Sequence, residues 1–536
     1  MIRFGGHTQR NRKLEALIWL MGTLALAMFA VNKLLYGDLT SQAVDAMVLA
    51  GVALAIVTLS RWRLGLYLFL VWVIFEDFPR KYLGNSVYAF FGKDILVAVV
   101  YVAFFFGRKQ QTEKLLRPRF WFPLLGFFLW AMMEAFNPKT PSAIYGLLGL
   151  KLYFYYVPLL FIGYELIRSE LDLRRFLVFN LLLAGVVSLL GIAQAIFGQQ
   201  LLNPQSLDEN LRDLGNLTRT APISGLVFNR PTSVFVSDGR FSAYLILMYV
   251  LGFGAIGYLS QRSWSGRKVV YACFGLIFSA IILTGVRTAF VYCLISTPVL
   301  IAGFAWGMPQ RQEQLVRTLK AVSRFALLPA AGVLCLALLY PSALASRWAF
   351  YTETLSPTGQ GSELESRGWA YPISEFMHTF RLQDWQWGRG LGTASLGTQY
   401  VTRFLHSPPA GDSVENGYGQ LLLEVGIPGL MLWLTFTSAV LYTCWGVVKR
   451  LRRTPVFPLA FAIFWYAFVV LFPLTYIGLS TYENYIVAAF LWILIGILFR
   501  LPVLLKTPSP SWDAAQPPRR PTPFAEHPSR AGARGV

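Results

Sequence analysis

The sequence predicts an all-α polytopic membrane protein, with about fourteen transmembrane helices and a large loop on the outer face. Three observations carry that expectation. The composition is 55% hydrophobic and 15% aromatic with only 14% charged residues, and the mean hydropathy is +0.51; a soluble domain carries about a quarter charged residues. Apolar runs of about 17–25 residues recur along nearly the whole chain, each long enough to cross a hydrocarbon core of ~30 Å. The basic residues gather in short segments between those runs, where they set orientation.

The formal charge of +20 would point to nucleic acid in a soluble protein, but its placement in short loops excludes that partner here. Cys273, Cys293, Cys335 and Cys444 all fall inside apolar segments and read as small core residues, neither a disulfide framework nor a thiolate metal site. His7, His378, His406 and His527 are too scattered for a histidine metal cluster, so no metal and no cofactor is expected.

In chain order the predicted spans are 14–36, 42–60, 64–76, 92–107, 119–137, 146–165, 175–198, 240–260, 269–286, 288–306, 325–340, 418–447, 455–473 and 483–500. Arg3, Arg10, Arg12 and Lys13 before the first run resemble the start of a signal peptide. No soluble domain follows, so the run reads as a retained span. Placing the N-terminus in the cytoplasm puts Arg61/Arg63, the 108–119 cluster, Arg168/Arg174/Arg175, Arg262/Arg267/Lys268, the 311–324 cluster and Lys449/Arg450/Arg452/Arg453 on that side too. Residues 269–306 are almost uninterrupted apolar sequence, about 57 Å as one helix at 1.5 Å per residue, while both flanks are basic. The run must therefore be a hairpin, turning at Gly285–Thr288 (GVRT) and leaving Arg287 at the outer surface. The chain thus divides into N-terminal helices (1–198), a membrane core (199–500) with outer segments 199–239 and 341–417, and a Pro-rich basic tail (501–536). That tail reads as disordered and cytoplasmic, because it has little to bury.

The outer segments hold Arg212, Arg219, Arg230, Arg347, Arg367, Arg381, Arg389 and Arg403, with Arg240 at their boundary, and no lysine. Guanidinium binds phosphate oxygens through a planar fork, whereas ammonium is a point charge. Such a surface suits a diphosphate headgroup. Each arginine can equally meet lipid phosphates or pair with Asp208, Glu209, Asp213, Glu363 or Glu365.

GVRTAFV after an apolar run, FNRPTSVF before a span, and a long loop reading ESRGWAY, GRGLGT and ENGYGQLLLEVGIPGL together resemble the O-antigen ligase and O-antigen polymerase family over roughly 225–435. The resemblance implies a metal-independent glycosyltransferase of the bacterial inner membrane. Its donor would be an undecaprenyl-diphosphate-linked glycan, and its acceptor a saccharide or lipid hydroxyl at the periplasmic face. The bilayer, and other polysaccharide assembly proteins, would be its surroundings. By the same resemblance Arg287 and Arg367 contact the diphosphate and stabilise the charge that develops as the sugar leaves. Arg230, in the RPT stretch, assists or anchors a loop, and Asn416 and Arg389 join the substrate-binding set.

The chain departs from the family where His-Asn is usual, having Glu415-Asn416. That histidine is held to activate the acceptor. A glutamate at the mouth of a membrane helix can take the role, since leaving water raises a carboxyl pKa toward useful values. His406, nine residues upstream, can fold back instead, or Glu415 can simply cap the helix. Glu424 shares a helical stripe with Gln420 and Pro428 and reads as an anchor. Lys151 either snorkels outward or helps hold the lipid phosphate. Gly388, Gly390 and Gly392 lack the preceding strand and following Lys-Ser/Thr of a nucleotide loop and fit a tight turn.

Polymerase and ligase share these features; the departure at Glu415 tilts the expectation toward polymerase. The alternatives are a transporter or flippase for lipid-linked saccharide, which would need ionisable residues within the membrane, and an inactive scaffold of a polysaccharide assembly complex. Asp45 and Glu134 are the few intramembrane candidates legible in the sequence, Glu134 near an outer end.

Overall fold

The computed structural model describes residues 51–83, 87–108, 116–204, 217–259, 266–307, 338, 340–356, 362–405, 411 and 414–505. The expected span 14–36, residues 42–50 of the span 42–60, most of 325–340, Asp45, Arg212, Cys335, His406 and the tail beyond 505 lie outside the described residues.

The chain opens with α1 (Gly51–Ser60), α2 (Trp62–Phe75), α3 (Asp77–Tyr82), α4 (Val87–Arg108) and α5 (Trp121–Ala135). It continues through α6 (Ala143–Leu166) and α7 (Glu170–Phe197) to a hairpin of β1 (Thr218–Thr220) against β2 (Val227–Asn229). Next come α8 (Asp238–Leu259), α9 (Arg267–Leu283), α10 (Arg287–Gly307), α11 (Pro341–Leu355), α12 (Tyr371–Thr379) and α13 (Leu396–Leu405). The last are α14 (Gly417–Arg450), α15 (Phe457–Ile477), α16 (Ser480–Glu483) and α17 (Tyr485–Leu504). Among the described residues eight helices are long and apolar enough to cross a membrane: α4, α6, α7, α8, α10, α14, α15 and α17. The expected span 64–76 is a 14-residue helix, α2, followed by the separate α3.

Local chemistry sets several of these boundaries. Ser169 caps α7 in a capping box with Asp172, and Asn484 caps α17 by accepting from the Ile486 N–H. The 269–306 run breaks between Leu283 and Arg287, where Gly285 takes a φ of +63°. A Cβ there would lie 2.2 Å from the Phe228 ring, so the turn is also packed against the hairpin.

The core is built around α17, buried along almost its whole length. It lies against the second half of α6, where a Cβ on Gly163 would meet the Ile493 carbonyl at 2.3 Å and one on Gly496 the Leu160 carbonyl at 2.1 Å. Small residues let the two backbones approach, which is how helices associate where lipid removes the hydrophobic difference. The segments expected to lie outside the membrane are more than loops. Arg347 of α11, only 2% exposed, donates to the carbonyls of Leu283, Asn229 and Ala195, tying α11 to α9, β2 and α7.

A break in α14 positions the rest. Gly426 has φ +66° inside the helix, and Pro428 has no N–H to offer the Glu424 carbonyl four residues back. The Ile427 N–H turns away to the Gln386 carbonyl (2.9 Å). The orphaned carbonyls of Leu423 and Glu424 accept instead from the backbone N–H groups of Arg389 (2.9 Å) and Gly390 (3.2 Å). The GRGLGT segment is therefore stitched into the kink, with Gly388, Gly390 and Gly392 at φ +89°, +112° and +78°. Beneath it the buried Glu424 carboxylate accepts from the Ala394 N–H (3.0 Å) and the Tyr153 hydroxyl (2.9 Å).

Candidate active site

Residues 363–379 form a helical segment, with a π-helical turn at Ser366–Ala370 running into α12. Glu363, Arg367, Tyr371 and Glu375 recur at four-residue spacing, so they stack along one face. All four line one cavity of about 550 Å³. Arg287, first residue of α10, faces them from the hairpin turn, and Glu415 and Asn416 close the mouth at the start of α14. Apolar side chains of α15, Trp465 and Phe468 among them, form the other wall.

Arg287 Nη1 lies 2.7 Å from Glu363 Oε2, and Arg367 Nε lies 3.8 Å from the same oxygen. Arg367 Nη1 also stands 3.9 Å from Glu415 Oε2. The guanidinium of Arg367 sits 4.8 Å from the Tyr371 ring centroid. Partial burial, together with a hydrogen bond to the Glu415 carboxylate, raises the Tyr371 phenol above its ordinary range. The Glu415 backbone N–H donates to Glu375 (3.0 Å). Two cations and three carboxylates, from sequence positions 287 to 415, thus converge on one half-open space.

A second cavity, of about 580 Å³, adjoins the first and shares Thr288, Glu415 and Ile477 with it. Its lining is richer in neutral polar groups, including Ser395, Thr398, Gln420 and Thr481. Glu415 stands at the junction of an arginine-bearing chamber and a hydroxyl- and amide-bearing one.

The remaining expected residues fall differently. Asn416, not Glu415, caps α14: its side chain accepts from the Gly419 N–H (3.0 Å) and donates to the Pro372 carbonyl (3.1 Å). The Glu415 side chain is 71% exposed in the cavity mouth rather than desolvated. Arg230 lies just behind the site, paired with Asp238 at 2.9 Å and 5.9 Å from the Phe350 ring that Arg287 covers at 5.3 Å. Burial lowers the Arg230 guanidinium and Asp238 opposes the shift. Arg389 lines neither cavity; its backbone serves the α14 kink.

Lys151 lies away from both cavities, in an ion pair of 2.5 Å with Asp94, 4.6 Å above the Phe91 ring. It belongs to a buried charge cluster that the pattern of apolar runs concealed. Lys93 pairs with Glu76 (3.3 Å), Arg80 and Arg240 pair with Asp77 (3.0 and 2.7 Å), and Lys81 donates to Asn203, Thr232 and the Ser233 carbonyl. The cluster ties α3 and α4 to the start of α8, so it braces the site's surroundings.

Glu375 and Tyr371 were not singled out from the sequence, although the 363-367-371-375 repeat was there to be read. Among the described residues no three His, Cys, Asp or Glu side chains converge as metal ligands. No family model matches the chain, and no curated protein aligns with it.

Proposed function

We propose that this chain is a membrane glycosyltransferase that moves a glycan from a polyprenyl-diphosphate carrier to an acceptor hydroxyl at the outer face. The observation carrying the proposal is the meeting of Arg287 and Arg367 on one carboxylate oxygen of Glu363, with Glu415 in the same cavity. Two guanidinium groups directed at one anionic position fit a diphosphate, and the apolar α15 wall fits the first units of its polyprenyl chain. Glu363 occupies the position that phosphate oxygens would take.

In the transfer, the acceptor oxygen attacks the anomeric carbon and a new C–O bond forms. The bond from that carbon to the diphosphate oxygen breaks, and its electron pair leaves on the diphosphate between Arg287 and Arg367. The acceptor proton passes to the Glu415 carboxylate, which stands between the two cavities. The neutral polar cavity is the place for acceptor sugar hydroxyls. A growing glycan supplies such an acceptor, which favours polymerase over ligase.

The test is transfer by purified, reconstituted protein given undecaprenyl-diphosphate oligosaccharide, with and without chelator. Arg287→Ala and Arg367→Ala each lose about 10²–10³ in rate if they hold developing charge, and Glu415→Gln loses chain growth while still binding donor. Full transfer by both arginine variants sinks the mechanism. The buried Lys93–Glu76 and Lys151–Asp94 pairs are the intramembrane charges that a transporter of lipid-linked saccharide would need. Absent transfer with carrier translocation in the same proteoliposomes would move the function there, and absence of both would leave a scaffold.

A further inference from the structure

At the opposite end of the helices from that site, Arg117, Arg119, Lys449 and Arg450 line a third cavity, of about 360 Å³. No acidic side chain joins its lining; Trp445 and Phe499 supply an apolar wall. Other cations near this end are already engaged. Arg63 donates to the Glu165 carbonyl (3.2 Å), Arg452 to the Trp306 carbonyl (3.2 Å) and Arg500 to the Ile167 carbonyl (3.0 Å). Among the described residues, none of the four lining cations has an ion pair or a side-chain hydrogen bond; Lys449 makes only a long approach of 5.8 Å to the Trp445 ring.

Four unneutralised charges around one concavity repel one another unless an anion enters. The surroundings favour that anion. α5 begins at Trp121, two residues beyond Arg119, so the positive end of its dipole faces the same region. Trp306 stacks on Trp445 with centroids 5.4 Å apart, forming an aromatic ledge of the kind that sits at headgroup depth.

We propose that this cavity binds the headgroup of an anionic phospholipid from the leaflet at that end, the cytoplasmic one by the distribution of basic residues. Arg117 and Arg119 clasp the headgroup from the α5 side and Lys449 and Arg450 from the α14 side. Trp445 and Phe499 receive the glycerol and upper acyl chains. Four cations match a headgroup carrying two phosphates better than one, so cardiolipin binds more tightly than phosphatidylglycerol.

The experiment is native mass spectrometry and a lipid titration on delipidated full-length protein in detergent. It compares wild type with Arg117→Gln/Arg119→Gln, Lys449→Gln/Arg450→Gln and, as a control at an exposed lysine that does not line the cavity, Lys268→Gln. Cardiolipin should bind, phosphatidylcholine should not, and each double variant should weaken cardiolipin about 30-fold while the control is unchanged. Because the four side chains are solvent-exposed or rim the cavity, these variants keep their helical spectrum. Cardiolipin binding equal in wild type and both double variants overturns the proposal. So does inorganic pyrophosphate binding at the same site as tightly as the lipid, which would make it a site for a soluble anion. The outcome is independent of whether the chain transfers glycans.

Discussion

Glu363 carries the negative charge that keeps Arg287 and Arg367 within reach of one another. The Arg287–Glu363 pair is partly exposed, with side chains 24% and 38% accessible, so it is worth at most about 1 kcal/mol. On the proposed reading, a diphosphate would bring more negative charge and more acceptor oxygens to the same guanidinium groups and would displace the carboxylate at that small cost. Glu363→Gln therefore lowers the apparent KM for donor by about 2–5-fold and leaves kcat unchanged. Steady-state kinetics with donor varied checks this; a raised KM would mean that Glu363 organises the arginines rather than occupying their anion position. Arg287 was legible in the sequence because a basic residue in the turn of an apolar hairpin is conspicuous. Tyr371 and Glu375 were harder to see, because the segment holding them reads as an outer loop until its helical repeat is recognised.

At the level of elements, the break in α14 sets where the loop 380–395 runs. Pro428 and Gly426 together free two carbonyls, and the loop's N–H groups take them up. Gly426→Ala forces a Cβ into a backbone conformation (φ +66°, ψ −174°) that is essentially open to glycine alone, costing about 1–3 kcal/mol. That Cβ would also lie 2.5 Å from the Trp387 carbonyl carbon. The variant should melt several degrees lower in detergent and lose transfer together with stability, since Glu424 beneath the break anchors the residues lining the second cavity. A wild-type melting temperature would show that the loop docks by other contacts. Pro428 and the three positive-φ glycines advertise irregular backbone in the sequence. What they pack against is a contact between residues some forty positions apart, which no local pattern encodes.

For the molecule as a whole, the Glu483 carboxyl beside Glu424 couples α16, α14 and the loop. Glu483 is 2% exposed, accepts from the Leu396 N–H at 3.0 Å, and is pushed up to about 8 by burial and then by the neighbouring Glu424 charge. A carboxyl raised on folding favours the state that keeps its proton. Its contribution is therefore fully present below the unfolded value near 4.5 and is lost as pH climbs toward about 8. The melting temperature of the purified protein should fall between pH 6 and pH 8, and Glu483→Gln, which imitates the protonated group, should flatten that slope. Equal slopes in both proteins would assign the pH dependence elsewhere. Neither glutamate looks paired in the sequence, lying as they do 59 residues apart in different helices.

Composition and the spacing of apolar runs determined a helical, membrane-type architecture, a break at Gly285 just before Arg287, and the positions of the long helices, because those depend on local hydrophobicity and on backbone geometry at single residues. Tertiary structure decided which charges meet. It joined Arg287 to Glu363 and Arg367, gave the α14 cap to Asn416 and left Glu415 facing two cavities, and it drew Lys151 into a pair with Asp94. Ion pairing acts over a few ångströms and follows the path of the folded chain, so partners tens of residues apart become defined only when the helices pack.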